Sequence, residues 1–319
     1  MKILIHLDGS PLCWQALRAG ATLARRGGFP LTVMTIRPGT LAEEAPPPFG
    51  AEVPREDWDR LPPGLVLLTH AIPFLEDCGV VNERVTALRL REGEEDCWFF
   101  HLGRPDGGTV VLRVDFGPLL STLLERFDPH DPEQLLVLSD PGRRGLHRLL
   151  TGNLAHRVAL RGYVSVLVVK GVAAVDQRVI LCLDGSPASR RAWPFLEALL
   201  PVLGPRVDVL GVRVVRGGRL LQDPCEPCAR QARDRLRATG KTSDAIIRQG
   251  PEAGQAIREE AGAGALVVMG DSSRGDLERL WAGSVPLDVL EQGHASLLLV
   301  KMPPGAGASP PVQDGIRWD

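Results

Sequence analysis

A short acidic motif occurs twice in this chain, each time directly after a run of apolar residues. Leu-Asp-Gly-Ser-Pro stands at residues 7–11 and again at 183–187, so its two carboxylates are Asp8 and Asp184. A carboxylate at the end of a strand can accept hydrogen bonds from a ribose hydroxyl or an adenine amino group, and it can equally cap the turn that follows. Because both copies keep the motif, we favour ligand binding, with the cap as the alternative.

A second motif, rich in small residues, lies towards the end of the chain. Gly270, Ser273, Gly283 and Ser284 follow the pattern Gly-x2-Ser-x9-Gly-Ser. Small residues let backbone N–H groups approach phosphate oxygens, and a helix that begins here attracts anions through its unpaired N–H groups. Arg274 adds a cation that can pair with phosphate. The pattern favours a phosphate-binding loop, although a loop of this kind alone is a weak signal.

The two motifs belong to an internal repeat. Residues 3–11 reappear 176 positions later, and residues 136–170 reappear 131 positions later. Gly117-Pro118 matches Gly250-Pro251, a spacing of 133 positions, so most of the difference falls before Gly117 and places an insertion there in the first copy. We therefore predict a domain at 1–170 with an insertion at about 38–108, a linker at 171–177, a second domain at 178–302 and a disordered tail at 303–319.

Short runs rich in Val, Ile and Leu alternate with helical stretches in both copies. This alternation is typical of strand–helix–strand units in a buried parallel sheet. We expect an α/β fold of two tandem doubly wound domains, each a five-stranded parallel sheet in the order 3-2-1-4-5 with helices on both faces. Ligands of such sheets bind beyond the carboxyl ends of the strands, where both motifs lie. The predicted strands are 3–7, 31–36, 110–114, 135–138 and 164–169, then 179–183, 207–214, 245–248, 265–269 and 297–301.

The insertion divides into two parts. Residues 38–63 are acidic and rich in Pro, which predicts a surface loop. Three runs, at 85–90, 97–102 and 109–114, predict a small antiparallel β-meander whose last strand doubles as the third strand of the domain. Its aromatic residues 98–100 need cover, either by packing on the domain, which we favour, or by a partner surface.

Composition excludes several classes of protein. Lys+Arg 37 against Asp+Glu 39 gives a net charge of -2, so no basic excess exists to hold nucleic acid. No run of about 18 apolar residues predicts a membrane span, and Asp8 comes too early for a signal peptide, so we expect a cytoplasmic protein. Cys225 and Cys228 form a close pair, which we interpret as reduced thiols near a helix start rather than a metal or redox site.

At these motifs the sequence resembles the universal stress protein family. The resemblance rests on Leu-Asp-Gly-Ser-Pro after the first strand and on the small-residue loop after the fourth, and it covers both halves apart from the insertion and the tail. It implies a tandem member that binds ATP or a related adenine nucleotide, with or without Mg²⁺. It also implies an internal pseudo-dimer formed through the fifth strands, while a further homodimer and an unidentified protein partner stay open.

The resemblance also assigns ligand-binding residues by position. Val212 and Ile36 have a plain alternative, since both can simply be buried sheet core. The implied residues are Asp184, Val212, Gly270, Ser273, Arg274, Gly283, Ser284 and Val285 in the second copy, and Asp8, Ile36, Ser139, Gly142, Arg143, Gly152, Asn153 and Leu154 in the first.

Neither copy keeps the family loop Gly-x2-Gly-x9-Gly-Ser/Thr in full. Ser273 replaces the second Gly in one copy, while Ser139 and Asn153 replace the first Gly and the final Ser in the other. An added β-carbon costs about 1–3 kcal/mol where the backbone needs a positive φ, whereas Asn still caps a helix well. We expect the second copy to be the better site, although Arg143 and its basic neighbours can compensate in the first.

Three functions are compatible with these residues. The first is a nucleotide-binding stress-response or regulatory protein with no dedicated catalysis. The second is a nucleotide-free interaction scaffold that uses the insertion, and the third is a weak ATPase in which Asp271 assists a metal. The sequence contains no Gly-x4-Gly-Lys-Ser/Thr loop and no Gly-x-Ser-x-Gly turn, so we expect a binding protein rather than an enzyme.

Overall fold

The computed structural model describes residues 1–40, 50–82, 84–93, 97–140, 154–171, 175–176, 178–223, 226–271 and 285–301. In the first half, the strands and helices are β1 (Lys2–His6), α1 (Cys13–Gly27), β2 (Leu31–Arg37), β3 (Glu52–Pro54), α2 (Pro63–Asp77), β4 (Ala87–Arg89), β5 (Arg91–Gly93), β6 (Cys97–Gly103), β7 (Thr109–Phe116), α3 (Leu119–Leu124), β8 (Gln134–Ser139), α4 (Leu154–Arg161) and β9 (Ser165–Val169). In the second half they are β10 (Arg178–Cys182), α5 (Pro187–Leu199), β11 (Val207–Arg216), β12 (Arg219–Gln222), α6 (Glu226–Ala238), β13 (Ala245–Gly250), α7 (Ala253–Ala261), β14 (Ala265–Gly270), α8 (Val285–Gln292) and β15 (Ser296–Val300).

The first half is built around β1. This strand pairs in parallel with β2 on one side and with β8 on the other, while β7 lies beyond β2 and β9 beyond β8. Parallel neighbours need a crossover connection, and α1, α2, α3 and α4 supply the four crossovers. All five residues of β9 are buried, as expected for a parallel strand covered on both faces. The carboxyl ends of these five strands therefore meet at one edge of the sheet.

The range 38–108 contains more ordered structure than the sequence predicted. Helix α2 lies within it and supplies the crossover from β2 to β7. Residues 50–62 carry β3 and a 3₁₀ turn, and they bury Val53, Trp58 and Leu61, so the interpretation of this part as a surface loop is wrong. The apolar side chains in this segment anchor it against the core of the first half.

The sheet is extended by two antiparallel strands. Strand β6 pairs with β7, and β5 pairs with β6, whereas the predicted strand at 85–90 forms only the short β4, which pairs with β3. Trp98 and Phe100 are fully buried in the core. Packing within the domain therefore accounts for these two aromatic side chains, without a partner surface.

The second half follows the same plan. Strand β10 pairs in parallel with β11 and with β14, β15 lies beyond β14, and β13 pairs in parallel with β11. The crossovers are α5, α6, α7 and α8. Cys228 is buried in α6 and is disulfide-bonded, so the expectation of a reduced thiol is wrong for this residue, and Cys225 lies outside the described residues. The mixed α/β fold with a mostly parallel central sheet is confirmed.

The two halves share one continuous sheet. Strand β15 pairs antiparallel with β9, with Leu298 opposite Leu167, and the described residues contribute 13 strands to the combined sheet. Every residue of both strands is buried. Among the described residues, none of the helices has the length and apolar character that crossing a bilayer requires.

A buried lysine follows each of these two strands. The Lys170 Nζ donates to the carbonyl of Gly293 at 2.8 Å and to that of Leu290, both at the end of α8 in the other half. The Asp140 carboxylate lies 3.9 Å from the same nitrogen, and both side chains are buried. The ammonium group therefore lies at the partial negative charge of the α8 C-terminus. Asp140 supplies a counter-charge from the half to which Lys170 belongs.

Lys301 occupies the equivalent position of the repeat, 131 residues later. Its Nζ donates to the carbonyl of Ala159, near the end of α4, and binds the Asp271 carboxylate. Each lysine thus ties its own half to the last helix of the other half. These charges are buried at the seam, by which we mean the junction of β9 with β15. Removing one member of a buried ion pair is strongly destabilising.

We expect Lys301→Met to lower the free energy of unfolding by about 3–5 kcal/mol, since it removes a buried ammonium group that binds the Ala159 carbonyl and the Asp271 carboxylate. Urea denaturation at neutral pH measures the effect. The matched control is Lys2→Met, because Lys2 also pairs with a carboxylate, Asp131 at 3.1 Å, but its side chain is 69% exposed. The control should lose less than about 1 kcal/mol. Equal losses of unfolding free energy in the two variants would show that the buried pair of Lys301 and Asp271 contributes no more than an exposed ion pair.

His6 is buried at the end of β1, where Cys182 stands in the repeat. Burial lowers the pKa of His6 to about 4, although Asp8 nearby opposes the shift. The unfolded chain therefore binds the proton more readily, and stability falls as the pH drops from 7 through the unfolded pKa of about 6.5 towards 4.

We expect the wild-type chain to lose about 2 kcal/mol more stability than His6→Cys between pH 7 and pH 4.5. The substitution copies the residue that the second half uses at this place. Urea denaturation at both pH values gives the difference. The same pH dependence in both proteins would mean that His6 is not buried in its neutral form.

Candidate functional site

A cavity opens at the carboxyl ends of the strands in the second half. Its volume is about 190 Å³, and its walls come from β10, β11, β12, β14, α5, α7 and α8 together with the turn after β10. Four residues assigned by the resemblance line it together, namely Asp184, Val212, Gly270 and Val285. The structure thus brings these four positions, from four separate parts of the chain, around one space.

Asp184 forms a turn and also lines the cavity. One carboxylate oxygen accepts a hydrogen bond from the Ser186 backbone N–H at 2.9 Å, and Ser186 in turn caps α5 by accepting from the Ser189 N–H. Burial opposes ionisation, but the hydrogen bonds from Ser186 and Ser189 win and hold the pKa of Asp184 below its usual value. The role of Asp184 in the turn is therefore confirmed, while ligand binding stays a prediction for an ionised carboxylate that lies at the cavity wall.

The floor of the cavity is apolar. Val212, Ile257 and Met269 are buried side chains that line it, from β11, α7 and β14. Cys182 lies beside them, and burial, helped by Asp184, raises the pKa of its thiol to about 12, so the thiol is neutral. An apolar slot with one carboxylate at its wall suits a flat heteroaromatic ring attached to a group that donates hydrogen bonds.

The size of the cavity limits what it can enclose. A volume of 190 Å³ is smaller than the roughly 300–1,000 Å³ typical of pockets that hold a whole drug-sized ligand. The described walls therefore accommodate part of a nucleotide rather than a complete nucleoside triphosphate. A larger ligand has to extend beyond these walls.

The predicted phosphate loop borders the same cavity at both of its ends. Gly270 precedes the loop and Val285 follows it, and both residues line the cavity. Ser273, Arg274, Gly283 and Ser284 lie outside the described residues. Asp271, considered as a metal ligand, is described, and Lys301 binds its carboxylate at the seam.

The first half has the same backbone arrangement. Asp8 accepts a hydrogen bond from the Ser10 N–H at 2.9 Å, as Asp184 does from Ser186. Ser139 pairs with Val169 as Gly270 pairs with Val300, so it occupies the equivalent strand end. Ile36 and Leu154 are half-buried and pack against the core, while Gly142, Arg143, Gly152 and Asn153 lie outside the described residues.

Larger side chains stand at the equivalent wall positions of the first half. His6 stands where the second half has Cys182, and the buried Leu120 stands where it has Ala253. Ile36 replaces Val212. Each of these three replacements adds atoms at a wall position, so we expect a narrower slot in the first half.

Several residues of this cavity were not predicted from the sequence. Ala253 and Ile257 on α7, Met269 on β14 and Gln222 on β12 were not singled out, although all of them line it. The spacing of the repeat could have identified Ala253 as the small counterpart of Leu120. The pair Gly217-Gly218 could have predicted the hairpin that carries Gln222.

Known structures resemble this chain over nearly its whole length. A universal stress protein from Archaeoglobus fulgidus DSM 4304 superposes with a TM-score of 0.61 at 14% identity, over 95% of this chain and 97% of that chain. A putative universal stress protein from Pseudomonas aeruginosa UCBPP-PA14 gives 0.56 at 14% identity, over 94% and 92%. A functionally unknown protein from Pseudomonas aeruginosa PAO1 gives 0.54 at 14% identity, over 94% and 92%.

The comparisons by sequence give no match. No protein-family model matches the chain, and no curated protein matches it either. Identities of 14% establish the fold and no more than the fold. The chain therefore has the fold of universal stress protein structures, across both halves.

Proposed function

We propose that the cavity of the second half binds an adenine nucleotide, and that the protein is a stress-response or regulatory protein of the universal stress type. One observation carries the proposal: an apolar slot, an ionised carboxylate and both ends of the small-residue loop meet at one cavity. The resemblance in sequence implies the same class of ligand, and the fold of universal stress protein structures is compatible with it.

The walls fit the parts of a nucleotide one by one. The base lies in the slot between Val212, Ile257 and Met269, where burying its faces removes apolar surface from water. The Asp184 carboxylate accepts a hydrogen bond from a ribose hydroxyl. The phosphates then extend past Gly270 towards the N-terminus of α8, where backbone N–H groups favour an anion.

The residues of the loop itself complete this proposal. Ser273, Arg274, Gly283 and Ser284 are our candidates for contacts with the phosphates of ATP or a related nucleotide, with or without Mg²⁺. In the first half the candidates are Gly142, Arg143, Gly152 and Asn153. Because His6, Ile36 and Leu120 put larger side chains at three wall positions there, we propose that the second half binds more tightly.

We propose binding without dedicated catalysis. In the part of the chain that the structure describes, Asp184 is the one acidic residue that lines the cavity, and Lys301 holds Asp271 at the seam. Metal-assisted phosphoryl transfer uses acidic groups that are available to hold the metal beside the phosphates. This arrangement supports a binding protein over the weak ATPase.

We expect ATP, ADP or AMP, at about a hundredfold excess over Kd, to raise the stability of the wild-type protein by about 2.7 kcal/mol. Ala253→Leu should lose most of this gain, because it places the larger side chain of the first half in the slot. Thermal denaturation with and without nucleotide measures both proteins.

The matched control is Gln255→Leu, on the exposed face of the same helix. It adds an apolar side chain to α7 without lining the cavity, so it should keep the full nucleotide effect. If no nucleotide stabilises the wild-type protein, the nucleotide proposal fails and the interaction scaffold is favoured. If Ala253→Leu responds like the control, the ligand lies elsewhere.

A further inference from the structure

A β-hairpin extends the second half beside the cavity. Strand β11 continues to Arg216, turns through Gly217 and Gly218, and returns as β12. Both turn glycines have positive φ, 58° and 76°, which is the backbone of the tight two-residue turn that joins antiparallel strands. In the first half, the described residues 38–40 after β2 form no returning strand.

The register of this hairpin determines on which face of the sheet the Gln222 side chain lies. Val215 lies opposite Leu220, but Val214 lies opposite Gln222, so the register shifts by one residue between the two pairs. A shift of this kind reverses the face of every residue beyond it. Because directly opposite residues point to the same face, Gln222 shares a face with Val214, and by the two-residue period of the strand with Val212.

That shared face is the cavity. Gln222 and Val212 both line it, and Gln222 is half-buried. Within the described residues, the side-chain amide of Gln222 has no hydrogen-bond partner. The hydroxyl of Ser186 accepts the Ser189 N–H and also hydrogen-bonds the Asp184 carboxylate, so it already has partners for donating and for accepting. Gln222 therefore offers the cavity both a donor and an acceptor.

The order of the strands places Gln222 at the end of the cavity where the base would lie. Along the sheet the order is β12, β11, β10, β14, with Gln222 on the first strand and Gly270 on the last. The small-residue loop begins after Gly270, so the phosphates occupy the β14 side. The base then points towards β11 and β12, with its polar edge facing the Gln222 amide.

We propose that Gln222 is a specificity-determining residue that recognises the adenine base. This inference rests on the proposed function. Adenine presents an exocyclic amine that donates beside a ring nitrogen that accepts, and a primary amide matches the two with two parallel hydrogen bonds. The hairpin supplies the amide in the second half, where the slot is also wider.

The experiment measures Kd by calorimetry for ATP and for purine riboside triphosphate, which lacks the exocyclic amine. The wild-type protein should prefer ATP by about tenfold, the factor expected for one good hydrogen bond to a base edge. Gln222→Leu should bind ATP about tenfold more weakly and should no longer distinguish the two nucleotides. The loss of discrimination is the readout that general damage to the cavity would not produce.

A second variant tests the direction of the hydrogen bonds. Gln222→Glu carries a carboxylate that only accepts, so it should disfavour ATP and improve binding of GTP, whose base presents two adjacent donors. Gln249→Leu, on the exposed part of β13, is the matched control and should behave as wild type. Melting without ligand shows whether each variant remains folded.

The outcomes separate the two proposals. If the wild-type protein binds ATP and Gln222→Leu still prefers ATP over the analogue by the same factor, the role of Gln222 is overturned and the nucleotide site stands. If the wild-type protein binds neither nucleotide, the proposed function fails, and the role of Gln222 fails with it. Loss of discrimination in Gln222→Leu alone supports both.

Discussion

The antiparallel pairing of β9 with β15 is the constraint on which the rest of the molecule depends. Each half on its own would end in a strand of four apolar residues after one serine, with a free edge, and an exposed edge of this kind is a site for uncontrolled pairing. Joining the two edges satisfies the backbone groups of both strands inside one sheet. The pairing also reverses the strand direction, so the carboxyl ends of the two halves lie at opposite edges of the sheet. The cavity of the second half and the equivalent slot of the first therefore open on opposite edges.

Two buried lysines form polar contacts across this apolar junction. Lys170 and Lys301 hold equivalent positions, and each binds backbone carbonyls of the last helix of the other half. A buried ion pair is often no more stabilising than an apolar replacement, but it penalises every arrangement in which one partner is left alone. Alternative pairings of two very similar strands would break these contacts. We infer that the lysines fix the register of the seam more than they add to its strength.

The sequence predicted the parts of the fold that depend on local pattern. The buried strands read as apolar runs, and the internal repeat identified the two halves and the equivalent strand ends at Asp8 and Asp184. Helix α2 was missed because the Pro-rich segment before it suggested a loop, although apolar side chains such as Trp58 bury that segment. The hairpin to β12 was missed because Leu220 and Leu221 are exposed and give no alternating pattern, at 51% and 54%. Which residues line the cavity depends on which face of each helix packs against the sheet. A single sequence indicates that face only where an internal repeat allows the two copies to be compared.

Comparison of the two copies also shows which residues can make the two halves differ in ligand binding. Because both halves share strand pairing, turn geometry and seam contacts, their backbones hold the described candidate positions, such as Asp8 and Asp184, in equivalent places. A difference in binding then has to come from side chains at the walls and from segments that one copy has and the other lacks. Leu120 against Ala253 is such a wall difference, and Gln222 on the hairpin is such an added segment. Both differences act in the same direction, since one widens the slot of the second half and the other gives that slot a polar end.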